Sequence, residues 1–543
     1  MRDVNTSAHA HSLQHVSNSL KEQGNMHDTP NTSSISATAP DPFAYEQEGF
    51  HKGLTPRQMH MIAIGSAIGT GLFLGTGGRL EIAGPSLALI YAICGFFGYL
   101  ILRALGELIV YRPSSGSFVS YMREFYGEKS AFVTGWLYWL NWAMTAVADA
   151  TAIAIYISWF SRYIPFIAHI DQWVSALVIV IVVVALNLVS VKVFGELEFW
   201  FALIKVASLV IFLIVGICFL IFGTPTGAPT GFSLISENGG FFPHGALPAL
   251  VVIQGVVFAY AGIELVGTAS GEAKNVDTII ARAVNTVIFR IAIFYVGSVL
   301  LLCMLLPYTA YSDTESPFVT FFSSIGVDYA APIMQLIVIT AAASSMNAGI
   351  YSTGRILHSM AIAGSAPKCA GKISKLGVPT AGILITALVA LFGVVLSAWV
   401  PEHAFEIVLN IAALGTMASW AAIALSHRKF LLHVKKGKYA RPHYKAPGGT
   451  FSDWAIMVFL VIVTVLMAFD YPVGTYTLAS LIVLAPLLII GWFMVRKRVM
   501  EIAAVRDIPV LAHRPGVDIA HEHGWSPHQH SHNHHNDPDT KDK

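Results

Sequence analysis

The chain has 543 residues, of which 55% are hydrophobic and only 12% are charged, and its formal net charge is +1. Soluble globular proteins carry about 25% charged residues, so this composition excludes a soluble protein with an ordinary core. It predicts an integral membrane protein whose surroundings are a lipid bilayer, and we expect no nucleic-acid partner.

Residues 1–50 are rich in Ser, Thr, Asn and His and lack the apolar stretch of a signal peptide, so they are predicted to be a disordered tail. Residues 51–498 alternate between apolar runs and short polar breaks. A helix needs roughly 20 apolar residues to cross a bilayer, and twelve runs satisfy this: 58–82, 85–110, 131–160, 172–192, 198–222, 246–271, 284–307, 331–354, 379–400, 404–426, 453–470 and 475–495. The predicted fold class is therefore an all-α polytopic membrane protein with twelve transmembrane helices.

The basic residues give an orientation for these spans. With both ends on one side, seventeen Lys and Arg residues fall in the connections of that side, and the opposite connections hold one, Arg162. Positive charge concentrates in cytoplasmic loops, so both termini are predicted to be cytoplasmic. The last segment, 499–543, is a polar tail with seven histidines between 521 and 535. Such tracts can bind transition metals loosely, but we expect a solvated tail and no metal site.

The first span contains an unusual number of glycines. Residues 63–78 have the sequence AIGSAIGTGLFLGTGG, with six glycines in sixteen positions, although each glycine costs a helix roughly 1 kcal/mol relative to alanine. Gly65 and Gly69 are four residues apart, as are Gly71 and Gly75, a spacing that suits close helix packing. The alternative is a break that exposes backbone groups, which membranes tolerate only where the backbone lines a cavity or binds something.

A second interruption favours the break. The sixth span has the sequence VVIQGVVFAYAGIELVGTASGE over residues 251–272, with Gly262 and the acidic Glu264 near its middle. Spans 1 and 6 are the first helices of two possible five-helix halves. Paired interruptions at corresponding positions are the pattern of a transporter binding site between inverted repeats.

Several motifs resemble a known family. GSAIGTGLF at 65–73, PSSGSF at 113–118, FWFALIKV at 199–206 and FAYAGIELVGTASGE at 258–272 are similar to motifs of the bacterial amino acid permeases of the amino acid–polyamine–organocation superfamily. The resemblance extends from about His51 to Arg498. Within the family it is strongest to the L-asparagine permeases, through RPSSGSFVSYMREFYGEK, SPFVTFFSSIG and AFEIVLNIAALG.

The resemblance implies a 5+5 inverted repeat with broken helices 1 and 6 plus two extra helices, and uptake driven by a proton gradient. It implies that the substrate carboxylate meets the first break, at Ser66, Ala67, Gly69, Thr70 and Gly71. The substrate ammonium would meet carbonyls near Ile64 and at Phe258, Ala259 and Ala261, and Phe258 or Tyr260 would be an aromatic lid. A zwitterion in a dry site needs donors at one end and acceptors at the other, and two helix breaks supply both.

Ionisable groups inside spans are functional candidates, because burying a charge in a membrane is costly. Lys205 lies nine residues after Glu196, roughly 14 Å along the helix. In the family, the matching lysine bridges spans 1 and 8, where Ser344 and Ser345 fit the other side. We expect Lys205 to contact a carbonyl near Gly65 and to exchange a proton. Glu264 is the second candidate for proton coupling, and Asp149 has no clear role.

The main hypothesis is a proton-coupled importer of an amino acid, with L-asparagine as first choice, in the bacterial cytoplasmic membrane and without a cofactor. The residue that recognises the side chain is not assigned, and Asn141, Trp142, Asn347 and Asn410 are candidates. A permease for another amino acid (GABA, a small neutral or an aromatic one) and a non-transporting amino acid sensor are the alternatives. We expect no enzyme, because the spans contain no nucleophile–base set and no metal-ligand spacing.

Overall fold

The structure, a computed structural model, describes residues 54–65, 68–224, 227–272, 284, 287–327, 329–399 and 404–512. The regular structure in this part of the chain is helical, with no β-strand. Residues 1–50, predicted to be a disordered tail, lie outside the described residues, and so do residues 513–543 at the other end.

The helices are labelled in chain order. The first group comprises α1 (Pro56–Gly65), α2 (Thr70–Phe73), α3 (Thr76–Ala83), α4 (Leu87–Tyr111), α5 (Ser117–Tyr126), α6 (Glu128–Ser158), α7 (Gln172–Val189), α8 (Val191–Phe222) and α9 (Phe232–Glu237). The second group comprises α10 (Ala246–Val251), α11 (Ile253–Ala259), α12 (Leu265–Ser270), α13 (Val287–Arg290), α14 (Ser298–Leu305), α15 (Pro317–Ser324), α16 (Ala330–Ile362), α17 (Thr380–Trp399), α18 (Ala404–Lys435), α19 (Thr450–Met467) and α20 (Val473–Ala512).

Within the described chain, eight helical segments are long and apolar enough to cross a membrane: Thr76–Tyr111, Glu128–Arg162, Gln172–Val189, Val191–Phe222, Val287–Leu305, Ala330–Ile362, Thr450–Met467 and Val473–Ala504. Two shorter apolar helices, Ala246–Ala259 and Thr380–Val395, accompany them. The protein is therefore a multi-pass integral membrane protein. The count of twelve spans stays a prediction, and helix length and composition identify only eight in the described residues. One reason is that the first and sixth predicted spans are divided into helices of ten residues or fewer.

Three long helices form the centre of the packing. Helix α6 packs extensively against both α16 and α18, and the outer helix α8 packs against α1 and α16. The short helix α2, just after the first break, contacts both α11 and α16. The two interrupted segments therefore face each other, with α6 and α16 beside them.

The last helix is longer than the sequence indicated. The polar tail was predicted to begin at residue 499, but α20 continues to Ala512. The reason is an apolar face that continues past the basic residues 496–498: Trp492 before them and Val499 and Ala503 after them are buried. Their spacing of seven and four residues places them on one side of the helix, where Val499 and Trp492 pack with Phe132 of α6.

Candidate functional site

A small buried cavity lies where the two interrupted segments meet. Its volume is about 10 Å³, which is room for roughly one water molecule. Its lining comes from both breaks, from α6 and from α16: Gly69, Thr70, Gly71, Trp142, Thr145, Phe258, Ala259, Ala261 and Ser345. The family resemblance assigned all of these except Trp142, Thr145 and Ser345 to the substrate, and it placed Ser345 beside Lys205.

The backbone of both breaks departs from helical geometry. Gly69 is extended, with φ −136° and ψ −157°, immediately before α2 begins at Thr70. In the second break, α11 ends at Ala259 and Gly262 has φ +98°, a conformation that side chains with a Cβ rarely adopt. The first N–H groups of a helix and its last C=O groups have no partner within the helix. One break can therefore present donors and the other acceptors.

The two breaks approach each other so closely that glycine is required between them. A Cβ added to Gly71 would lie 2.6 Å from the Cα of Ala259, well inside contact distance. A Cβ added to Gly69 would lie 3.2 Å from the Cβ and Oγ of Ser345. Gly71 therefore has a packing role against the second break, so the two explanations of the glycine-rich segment apply together.

The other residues expected near the substrate are placed differently. Phe258 lines the cavity, but the neighbouring Tyr260 points away from it into the core. The Tyr260 hydroxyl donates to the carbonyl of Tyr91 at 2.8 Å, and its ring stacks on Tyr295 at 4.6 Å. Ile64 is helical, and its side chain lies outside the described set. Ser66 and Ala67 also lie outside the described residues.

Lys205 is fully buried on α8 and bonds to the first broken span. Its Nζ donates to the carbonyl of Gly65 at 2.5 Å and to the Ser344 hydroxyl at 3.0 Å. Gly65 is the last residue of α1, so the amine is bound to a helix end beside the break. Lys205, on α8, therefore connects the end of α1 to α16.

A buried glutamate that the sequence analysis passed over completes this network. Glu198 accepts hydrogen bonds from the Ser344 hydroxyl at 2.9 Å and from the Asn347 amide at 2.7 Å. Glu198 and Lys205 are seven residues apart on α8, a spacing that places both on one helix face. That spacing was available from the sequence. Sequence reasoning did not identify Glu198 as a buried group because it is the first residue of the predicted span.

Asp149 connects the network to the cavity. It is fully buried on α6, and its Oδ1 accepts a hydrogen bond from the hydroxyl of Thr70 in the first break. Lys205 and the Ser345 hydroxyl also act electrostatically on this carboxylate. Its Oδ2 has no hydrogen-bond partner among the described residues. Asp149 therefore bonds directly to a residue of the cavity lining, and its Oδ2 accepts no hydrogen bond of normal geometry from the described residues.

Glu264 lies at the second break, immediately before α12, and is separate from the Lys205 network. Its Oε2 accepts a hydrogen bond from the N–H of Gly262 at 3.1 Å, and its Oε1 has no partner within the described chain. The side chain is fully buried. Glu264 thus bonds to the turn that interrupts this span, on a different helix from the Lys205 network.

The four candidates for side-chain recognition also differ in position. Trp142 lines the cavity, and its indole N–H has no partner in the described residues. Asn141, next to it, accepts from Thr416 at 3.2 Å, whereas Asn347 is engaged with Glu198 and Asn187. The side chain of Asn410 is outside the described set. Trp142 is therefore the candidate that the structure places at the cavity.

Similarity to known proteins identifies the family of this chain. A sequence model of the amino acid permease family matches residues 58–502. The chain is 56% identical over 463 residues to the L-asparagine permease of Escherichia coli K12, covering 85% of this chain and 92% of the relative. It is 54% identical over 476 residues to L-asparagine permease 1 of Mycobacterium tuberculosis H37Rv, covering 87% and 96%. It is 51% identical over 464 residues to the L-asparagine permease of Streptomyces coelicolor, covering 85% and 94%.

These matches span nearly all of the described helices, including both breaks and the helices beside the cavity. They make the chain a transporter rather than an enzyme. The protein belongs to the amino acid permease family.

Proposed function

We propose that this protein imports L-asparagine together with a proton by alternating access. The proposal includes twelve spans, a 5+5 inverted repeat, cytoplasmic termini and a location in the bacterial cytoplasmic membrane. It is supported by relatives named L-asparagine permease that match this chain at 51–56% identity over most of their length. The observation that carries it in the structure is the buried cavity between two facing helix breaks.

The substrate zwitterion bridges the two breaks in this proposal. The carboxylate meets the backbone and hydroxyl groups around Ser66–Gly71, and the ammonium meets carbonyls at the end of α11 and near Ile64. A cavity of about 10 Å³ is far smaller than the 300–1,000 Å³ typical of ligand sites. The breaks must therefore separate for the substrate to enter, and Phe258, which lines the cavity, is the lid that moves.

The side-chain amide meets Trp142 in this proposal. A carboxamide oxygen is a hydrogen-bond acceptor, and the Trp142 indole N–H is a buried donor at the cavity without a partner in the described chain. A buried donor left unpaired costs about 1–3 kcal/mol. Asparagine therefore satisfies a group that a substrate with an apolar side chain leaves unpaired.

The charges beside the cavity supply the proton site. Lys205 carries one positive charge, and it acts on two buried carboxylates, Glu198 and Asp149. Fully ionised, the three groups sum to one excess negative charge, and an uncompensated buried charge is costly. Glu198 accepts hydrogen bonds at both oxygens, which favours its ionised form. Asp149, with one oxygen lacking a partner in the described chain, is therefore the group that takes the proton.

Competition for uptake of labelled L-asparagine tests the recognition scheme. Succinamic acid lacks the α-amino group and 3-aminopropanamide lacks the α-carboxylate, and each leaves buried partners unpaired. We expect neither to compete. Trp142→Phe should raise the KM for asparagine roughly 5- to 30-fold, equivalent to about 1–2 kcal/mol. Trp139→Phe is the matched control, because that indole is on the same helix but donates to Thr386 at 3.0 Å, away from the cavity lining.

Four results would contradict this scheme. Competition by either analogue as strong as that of asparagine would remove the zwitterion bridge. Equal KM values for the Trp142→Phe and Trp139→Phe variants would remove Trp142 as the amide donor. Binding of asparagine without exchange across the membrane would identify a sensor, and a stronger preference for GABA or an aromatic amino acid would change the substrate.

A further inference from the structure

A second and much larger cavity shares no lining residue with the cavity between the two breaks. It is a groove of about 510 Å³ between α6, the residues 365–367 that follow α16, and the last helix α20. Its lining includes the aromatic residues Phe132, Trp136 and Trp139 on α6, and Leu488, Gly491 and Arg498 on α20. We call it the α6–α20 groove. Its volume is within the range of specific ligand sites.

The groove runs along the length of α20. Its lining on α20 begins at Leu484 and ends at Arg498, a distance of about 21 Å at 1.5 Å per residue. Only 6% of the most apolar stretch of α20 is buried, and side chains such as Ile490 and Phe493 are exposed beside the groove. This helix therefore faces lipid, and the groove is open to the bilayer.

Arg498 is the one cationic residue among the described residues that line the groove, and it lies at one end of the apolar surface. The guanidinium of Arg498 donates to the carbonyls of Ala361 and Ala366, both at 3.3 Å. These acceptors are neutral, and Arg498 forms no ion pair with any described residue, so its positive charge is not compensated there. Arg496 and Lys497 precede it on α20, and Lys368 follows the loop. This end of the groove thus attracts an anion.

The groove wall is held in place by hydrogen bonds of its own. The Trp136 indole N–H donates to the carbonyl of Ser365 at 3.2 Å, next to the carbonyl that Arg498 binds. The loop at the basic end is therefore fixed from both α6 and α20. A ligand that enters meets a formed surface, which lowers the entropy cost of binding.

We propose that the α6–α20 groove binds one anionic phospholipid, with an acyl chain along Leu484–Val495 and the phosphate at Arg498. The apolar length suits an acyl chain, which packs against it through van der Waals contacts because a bilayer supplies no hydrophobic driving force. The arginine accounts for the phosphate, because its planar fork suits phosphate oxygens. The uncompensated charge selects an anionic headgroup over a zwitterionic one. The site is separate from the proposed transport pathway and does not depend on the identity of its substrate.

Native mass spectrometry of the full-length protein in detergent tests this site with phosphatidylglycerol and phosphatidylethanolamine as probes. The expected result is one retained phosphatidylglycerol that equimolar phosphatidylethanolamine does not displace. Arg498→Gln should lower phosphatidylglycerol retention at least about tenfold, and Arg498→Lys should restore part of it. Lys497→Gln is the matched control, because it removes the same charge from an exposed neighbour outside the groove lining and should lower retention much less than Arg498→Gln.

A separate substitution tests the acyl-chain part of the groove. Gly491→Phe places a ring in the groove and should reduce retention of both phospholipids, whereas Phe493→Leu on the exposed side should not. Equal retention of the two phospholipids by the wild-type protein would overturn the proposal. Equal losses from Arg498→Gln and Lys497→Gln, or a dimer that buries the groove and excludes lipid, would overturn it as well. A melting temperature measured without added lipid identifies any variant that is simply unfolded. If Arg498→Gln is unfolded, phosphatidylglycerol retention by Arg498→Lys becomes the test of the phosphate site.

Discussion

Replacement of Lys205 by alanine is expected to abolish asparagine uptake. The substitution leaves Glu198 and Asp149 without the cation that acts on both, and it removes the donor to the Gly65 carbonyl and to Ser344. Leaving a buried charge without compensation costs about 3–5 kcal/mol. That energy corresponds to a loss of about 100-fold or more in the population of the working conformation.

Uptake into proteoliposomes, normalised to the amount of inserted protein, measures this effect. Lys192→Ala is the matched control, because Lys192 is near the start of the same helix and exposed, and it should retain normal uptake. Wild-type accumulation by the Lys205→Ala variant would remove the amine from the mechanism. The proposed link between the Lys205 charge and the Asp149 proton site would then be wrong, and Glu264, at the second break, would become the alternative proton site.

Replacement of Gly71 by alanine should also eliminate uptake, and it should lower the melting temperature. The new Cβ would lie 2.6 Å from the Cα of Ala259 and 3.1 Å from its backbone nitrogen. Because these are backbone atoms, no side-chain rotation can relieve the clash, and overpacking costs about 1–3 kcal/mol. The two breaks would be forced apart, and a displacement of ~1 Å at a site can reduce its activity roughly 100-fold.

The control for this substitution is Gly98→Ala on α4. A Cβ there would meet its nearest neighbour, the Cδ1 of Ile263, at 3.5 Å, an ordinary contact. We expect normal uptake and an unchanged melting temperature for that variant. If Gly71→Ala melts at a lower temperature but transports normally, the close approach is structural only. If it retains both wild-type properties, the described contact with Ala259 is wrong.

The sequence predicted those features of the site that depend on residues close together in the chain. Clustered glycines and a mid-span Gly262 indicated both breaks, because such residues weaken a helix wherever they occur. The distance along the helix from Glu196 indicated that Lys205 is deep. Trp142 was among four candidates for side-chain recognition, but only the packing of α6 against the breaks distinguishes it from Asn347, which is bonded to Glu198.

Other features required the tertiary structure. Thr70 and Asp149 are 79 residues apart, and nothing in either local sequence pairs them. Phe258 and Tyr260 are equally plausible lids in the sequence. They differ because the helix ends at Ala259 and turns the following side chain towards Tyr91 and Tyr295. The sequence allowed two roles for Gly71, substrate access and helix packing. Only the short distance to Ala259 in the structure shows the packing contact.

The central claim is that asparagine enters together with a proton that Asp149 takes up. Its most direct test is the simultaneous measurement of labelled asparagine entry and internal acidification in proteoliposomes that contain a pH-sensitive dye. Wild-type protein should acidify the lumen as asparagine enters. Asp149→Asn, which keeps the shape and cannot ionise, should exchange asparagine across the membrane without moving protons. Asp171→Asn, at an exposed position before α7, should behave as wild type. Asparagine entry without acidification in the wild type, or unchanged acidification in Asp149→Asn, would contradict the claim.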